Sequence, residues 1–165
     1  MSAADRAGFV ASFGGVFEHS PWIAEAAFDA GLPADAETAE GLHRVLCAAL
    51  AVADDTRKLA LLLAHPSLAG RLALAGGLTA ASSAEQASAG LDRCTPEELV
   101  RFRTLNAEYE AKFGFPFIMA VRGVPRDTVL AAFEQRIRND RETEFATALA
   151  QVERIALLRL KERLP

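Results

Sequence analysis

The sequence predicts an all-α fold: one domain over residues 1–165, built from roughly eight helices with short turns and one extended segment near 115–121. Three observations carry this. Alanine supplies about a fifth of the 165 residues while Val and Ile are scarce, which favours helix over sheet. Apolar residues recur at the three-to-four spacing of amphipathic helices. Gly, Pro and capping Ser, Thr or Asp fall at the junctions between those runs.

In order along the chain, residues 3–12 form a first short helix, stopped by Gly14-Gly15. Ser20-Pro21 reads as N-cap and first helical residue of a second helix, which runs through Trp22 to about Ala30 and ends at Gly31. Leu42, Val45, Leu46, Ala49 and Leu50 lie on one face of a third. Asp54-Asp55 caps or interrupts before the apolar run Leu59 to Ala64, and Pro66 disfavours helical geometry at His65, so that helix stops there. Residues 67–75 read as another short helix closed by Gly76-Gly77. Ser82 with Glu85, and Thr95 with Glu98 behind Pro96, read as capping boxes. Leu99, Phe102, Leu105, Tyr109 and Phe113 then follow a helical face to Gly114. "FPFIMAV" looks extended but has no obvious strand partner. Helices over 126–138 and 141–163 complete the chain.

The composition excludes several classes. The formal net charge is −4 with no block of Lys or Arg, so nucleic acid is not an expected partner. No apolar run approaches the roughly 20 residues that span a bilayer. No basic start followed by an apolar stretch marks a secretion signal. Cys47 and Cys94 do not make a disulfide framework, and the expected compartment is the cytoplasm.

Four places can carry chemistry. His65 sits at a helix C-terminus, where the dipole favours the imidazolium and burial favours the neutral ring, a balance suited to an acid or base near neutral pH. An ordinary half-buried histidine bonded to a carbonyl fits the same stretch. "SSAEQ", residues 82–86, offers helix-start N–H groups and the side chains of Glu85 and Gln86 to a polar ligand, although a plain cap explains it as well. "KFGFPFIMAVRG", residues 112–123, is either a pocket wall lending backbone groups or a core crossing segment. In the last helix Phe145, Leu149, Val152 and Ala156 trace an apolar stripe whose next step is Arg159. A charge there needs a partner or ligand, or must snorkel to water. His43 and Cys47 share a helix face, but no second pair joins them at ligand spacing, so no metal site is expected. His19, before a helix cap, reads as structural. Cys94 has no obvious activating partner.

Taken together, "GGVFEHSPWIAE", "LLLAHPSLAGRLA", "SSAEQASAGLDRCTPEE", "LNAEYEAKFGFPFIMAVRG" and "EFATALAQVERIALLRL" occur in the order of a known family. Over nearly its whole length the chain resembles the 2-oxo-4-hydroxy-4-carboxy-5-ureidoimidazoline (OHCU) decarboxylases of urate breakdown. The H-P-x-L, S-x-x-E-Q and F-G-F-P-F segments are distinctive as a set. The resemblance implies an all-helical homodimer that follows urate oxidase and hydroxyisourate hydrolase. It implies conversion of OHCU to (S)-allantoin and CO2 with neither metal nor organic cofactor. It also implies roles: His65 as acid/base with Glu85 beside it, and Pro66 lining the substrate site. Ser82, Ser83, Ala84, Glu85 and Gln86 would form the polar rim. Phe117, Ile118, Met119, Ala120 and Val121 would give backbone contacts, and Arg159 would hold the substrate. Many relatives carry Asp where this chain has Ser67, which can still cap a following helix.

Two readings from other classes compete. A hydrolase acting on a related cyclic ureide predicts turnover without CO2 release. A non-enzymatic helical interaction module predicts binding that survives loss of His65 and Arg159.

Overall fold

The computed structural model describes residues 3–68 and 94–165. Among these there are seven α-helices and no strand. They are α1 (Ala3–Phe13), α2 (Trp22–Ala30), α3 (Ala39–Ala51), α4 (Asp55–Ala64), α5 (Pro96–Phe113), α6 (Arg126–Arg136) and α7 (Arg141–Lys161). The all-α expectation holds. The helices expected at 67–75 and from Ser82 lie wholly or largely outside the described residues. Among those described, no helix is long and apolar enough to cross a membrane. The chain divides into two compact units: Met1–Ala64 with Val152–Pro165, and His65–Gln151.

The first unit contains α1 to α4 and the last turns of α7. Phe9 of α1 packs on Phe28 of α2 with ring centroids 5.4 Å apart. Arg6 grips Asp29 through both carboxylate oxygens, Nε to Oδ1 at 2.7 Å and Nη2 to Oδ2 at 3.0 Å. The turn between α1 and α2 is not a surface loop, because Val16, Phe17, Glu18 and Ser20 are all buried. The α2 cap differs from the sequence expectation by one residue. Pro21, at φ −62° and ψ −20°, is the residue before the helix, and Ser20 makes no side-chain cap. Ser20 instead belongs to the preceding turn, its N–H donating to the Phe17 carbonyl and its carbonyl accepting from the Ile23 N–H, both at 3.2 Å, while Pro21 already takes helical angles.

A short 3-10 turn, Ala34–Glu37, has no counterpart in the sequence reading. It exists because Thr38 caps α3 in both directions, Oγ1 accepting from the Gly41 N–H at 3.1 Å and donating to the Asp35 carbonyl at 2.9 Å. A Cβ on Gly41 would stand 1.8 Å from that Asp35 oxygen, so only glycine fits. Leu42, Leu46 and Leu50 of α3 are buried as expected. Asp54 caps α4 through the Arg57 N–H at 2.8 Å, and α4 ends at Ala64 before Pro66.

The second unit is built on α5. Its capping box is complete: the Glu98 N–H donates to Thr95 Oγ1 at 3.1 Å and the Thr95 N–H to Glu98 Oε2 at 2.9 Å. Gly114 ends the helix at φ +78°, a left-handed turn that suits glycine. Phe102, Leu105, Tyr109 and Phe113 are buried on one face. Residues 116–121 form neither helix nor ladder. Aromatic packing holds this segment, with Phe117 stacked on Phe133 of α6 at 3.8 Å and 10° between planes. In the first half of α7 the buried stripe runs Glu144 to Ala148, one position before the Phe145 and Leu149 that the spacing suggested.

Candidate active site

His65 directly follows α4. Leu61 and Leu62 are buried and Leu63 is exposed, so the helix is amphipathic up to its end. Pro66 then stops it and fixes the histidine outside the hydrogen-bonded turn. His65 is only 7% exposed, and Leu68 beyond it is also buried. A dry imidazole next to a helix C-terminus has the surroundings that acid/base work requires.

The Phe117–Val121 segment lies in the same unit as His65 and Pro66. Its backbone is anchored by side chains. Arg136 Nη1 donates to the Ile118 carbonyl at 2.7 Å, and the Ala120 N–H donates to Gln151 Oε1 at 3.0 Å. Arg136 also lies 4.3 Å over the Phe117 ring. Its counter-ion is Glu144, which is 0% exposed. Glu144 Oε1 accepts from Arg136 Nε at 2.7 Å and from the Tyr109 hydroxyl at 2.5 Å, while Oε2 accepts from Asn139 Nδ2 at 2.9 Å. Burial and the neighbouring Glu144 carboxylate push the Tyr109 hydroxyl far above its ordinary range, so it stays protonated and donating.

Arg159 lies in the other unit and is 2% exposed. Its burial matches the stripe, and the alternative of snorkelling to water does not occur. Its partner is Glu18, equally buried, with Nη1 to Oε2 at 2.9 Å. The same Nη1 donates to the Val16 carbonyl at 3.2 Å. Ser82, Ser83, Ala84, Glu85 and Gln86 lie outside the described residues.

Of the remaining candidates, His43 and Cys47 contact each other, and His43 contacts the backbone of α7. His43 Nε2 is 2.8 Å from the Glu153 carbonyl, which makes that nitrogen a donor and not a metal ligand. Cys47 Sγ lies 3.2 Å from the same nitrogen, and burial pushes the thiol up to about 12. Among the described residues, no three His, Cys, Asp or Glu side chains converge on a metal position. His19 is mostly exposed and holds φ at +48°, a turn conformation.

Sequence reasoning did not single out Glu18, Arg136, Glu144 or Gln151. Arg136 carried a usable signal. Val129, Phe133 and Arg136 are spaced by four and three, the same pattern of a charge one step beyond an apolar stripe that marked Arg159. Glu18 carried none, because a single acid in a turn gives no sign of burial.

Comparison with known proteins gives matches over nearly the whole chain. Residues 2–161 match the model of the family described as OHCU decarboxylase. The chain is 41% identical to 2-oxo-4-hydroxy-4-carboxy-5-ureidoimidazoline decarboxylase of Halalkalicoccus jeotgali, over 98% of this chain and 88% of that protein. It is 42% identical to the Haloferax volcanii protein of the same name, over 96% and 90% of the two chains. A crystal structure of (S)-allantoin synthase superposes with a TM-score of 0.77 at 36% identity, covering 96% of this chain and 50% of that one. With helices, motifs and full-length similarity in agreement, the chain belongs to the OHCU decarboxylase family.

Proposed function

We propose that this chain is a carboxy-lyase that converts 2-oxo-4-hydroxy-4-carboxy-5-ureidoimidazoline to (S)-allantoin and CO2 in urate degradation, with His65 as its acid/base. The observation that carries the assignment of His65 is its burial at the proline-fixed end of α4, in a chain of this family. The substrate is a small, flat, polar ring bearing a carboxylate, a hydroxyl and a ureido arm. Cleavage of the bond to the carboxylate releases CO2 and leaves its electron pair on the ring carbon. The adjacent C=N and C=O groups accept that charge, so the ring is its own electron sink and needs neither metal nor organic cofactor. The hydroxyl on that carbon then gives up its proton and becomes the ring carbonyl, while one proton is delivered to the neighbouring ureido-bearing carbon on one face, which sets the hand of the product.

In this reading His65 engages the hydroxyl and governs delivery of the proton. Glu85 orients the imidazole, and Pro66 with Ser82 through Gln86 lines the polar rim. Arg159 and the backbone of Phe117 to Val121 hold ring and ureido oxygens with donors placed in advance. Glu18 supports this by fixing the Arg159 guanidinium in place through a buried ion pair. The protein acts as a homodimer in the cytoplasm.

The test is stereochemical. The unstable substrate is generated from urate with urate oxidase and hydroxyisourate hydrolase, and circular dichroism is followed beside CO2 release. Wild-type protein should give (S)-allantoin rapidly, and His65→Asn should lose at least about 10²-fold in rate. Full turnover by His65→Asn would remove the acid/base role. No acceleration over spontaneous racemic decay in the wild type would remove the activity.

A further inference from the structure

Gln151 is a half-buried side chain on α7 whose Oε1 accepts the Ala120 N–H at 3.0 Å. Two residues earlier, the Ile118 carbonyl is held by Arg136 Nη1 at 2.7 Å. Between Gly114 and Gly123 no residue has a positive φ, and residues 116–121 are non-helical. In an extended chain, the carbonyl of one residue and the N–H of the second residue after it face the same side. The sequence reads this segment as extended, and in that geometry both anchors fall on one edge of it. The Phe117 and Met119 carbonyls and the Met119 and Val121 N–H groups fall on the other. The Val121 carbonyl is occupied by the Val124 N–H at 2.9 Å.

A buried backbone N–H must have an acceptor. Without Gln151 the Ala120 amide would turn toward another one, and the peptide planes on either side would turn with it. We propose that Gln151 is a positioning residue for the reaction: with Arg136 it clamps the Ile118/Ala120 edge, so that the opposite edge is presented to the flat polar substrate. This rests on the reading that Phe117 to Val121 touches the substrate. Gln151 itself does not touch it and acts only through the backbone.

Gln151→Met removes the acceptor at nearly constant volume, and Gln151→Glu keeps an oxygen in its place. The readouts are hydrogen exchange at the Ala120 amide, KM and kcat measured separately, and the unfolding midpoint. Gln151→Met should speed exchange at Ala120 at least about tenfold. It should raise KM by about 3- to 10-fold, the size of one lost hydrogen bond, with kcat within about twofold. Gln151→Glu should restore both protection and KM, which a purely structural role would not predict. Unchanged protection at Ala120 in Gln151→Met would overturn the clamp. A freed amide with unchanged KM would overturn the positioning role and locate the fault in the substrate-contact reading of 117–121. Should Gln151→Met fail to fold, Gln151→Ala is measured by the same readouts and criteria.

Discussion

The buried face of α7 carries an acid near its start, Glu144, and a base in its last turn, Arg159, and the two ends are held in different ways. Each charge suits its own end of the helix dipole. Glu144 finds its partners close by in space within its own unit: Arg136, Asn139 and Tyr109 all donate to its two oxygens. Arg159 finds its partner at the far end of the sequence, in the turn before α2, where one guanidinium nitrogen contacts both Glu18 and the Val16 carbonyl. The acidic end is a hub whose donors come from three elements and tie down a loop of aromatic residues. The basic end is a cation paired with a carboxylate from the opposite end of the chain. Burial alone does not separate these roles, since both side chains are dry. The origin of the partners does.

The largest effect that can break this comparison is on stability. Glu144→Ala leaves Arg136 buried without its counter-ion, and should cost about 3–5 kcal/mol. Urea unfolding measures it, and a loss below about 1 kcal/mol would show that the hub is not what holds the second unit. The next test separates charge from geometry. Arg159→Lys keeps a cation beside Glu18 but loses the planar fork, and should lower kcat/KM by at least about tenfold with a smaller change in unfolding midpoint. Arg136→Lys should do the reverse. If Arg159→Lys keeps full turnover, the two ends of α7 are both structural and the contrast disappears.

The smallest effect concerns the start of α7. The Thr143 N–H at 2.8 Å and its hydroxyl at 2.9 Å both donate to Asp140, and these hydrogen bonds hold that carboxyl below its usual range. A depressed carboxyl contributes stability that is complete above its ordinary pKa near 4 and is lost as pH falls through the lower, folded value. Between pH 5 and pH 7 the cap should therefore add nothing pH-dependent. Below about pH 4 the unfolding midpoint should fall, and Asp140→Asn should flatten that acid limb. An unchanged acid limb in Asp140→Asn would show that the anchoring of Glu144 does not depend on the charged cap.

Local rules worked where the physics was local. Pro66 after Ala64, the Thr95–Glu98 box and Gly114 set their boundaries through steric and capping forces between residues a few positions apart. The periodicity of α7 foretells the burial of Arg159, because a side chain at that step must follow its helix face inward. It misjudges the register of the first half, since the stripe includes Glu144, and a search for apolar residues passes over an acid. Ser20 reads as a cap from its residue type, which does not show that Pro21 already takes helical angles or that Ser20 belongs to the buried turn before it.

The sequence by itself therefore determined the helical class, most of the helix boundaries, the proline stop after His65 and the family. These rest on short-range preferences and on motifs read in order. Tertiary structure decided what pairs with what: Glu18 with Arg159, Arg136 and Tyr109 with Glu144, and Gln151 with the Ala120 amide. A buried charge states only that it needs a partner. Which residue satisfies it depends on packing between segments distant in the chain, and that is settled when the helices come together.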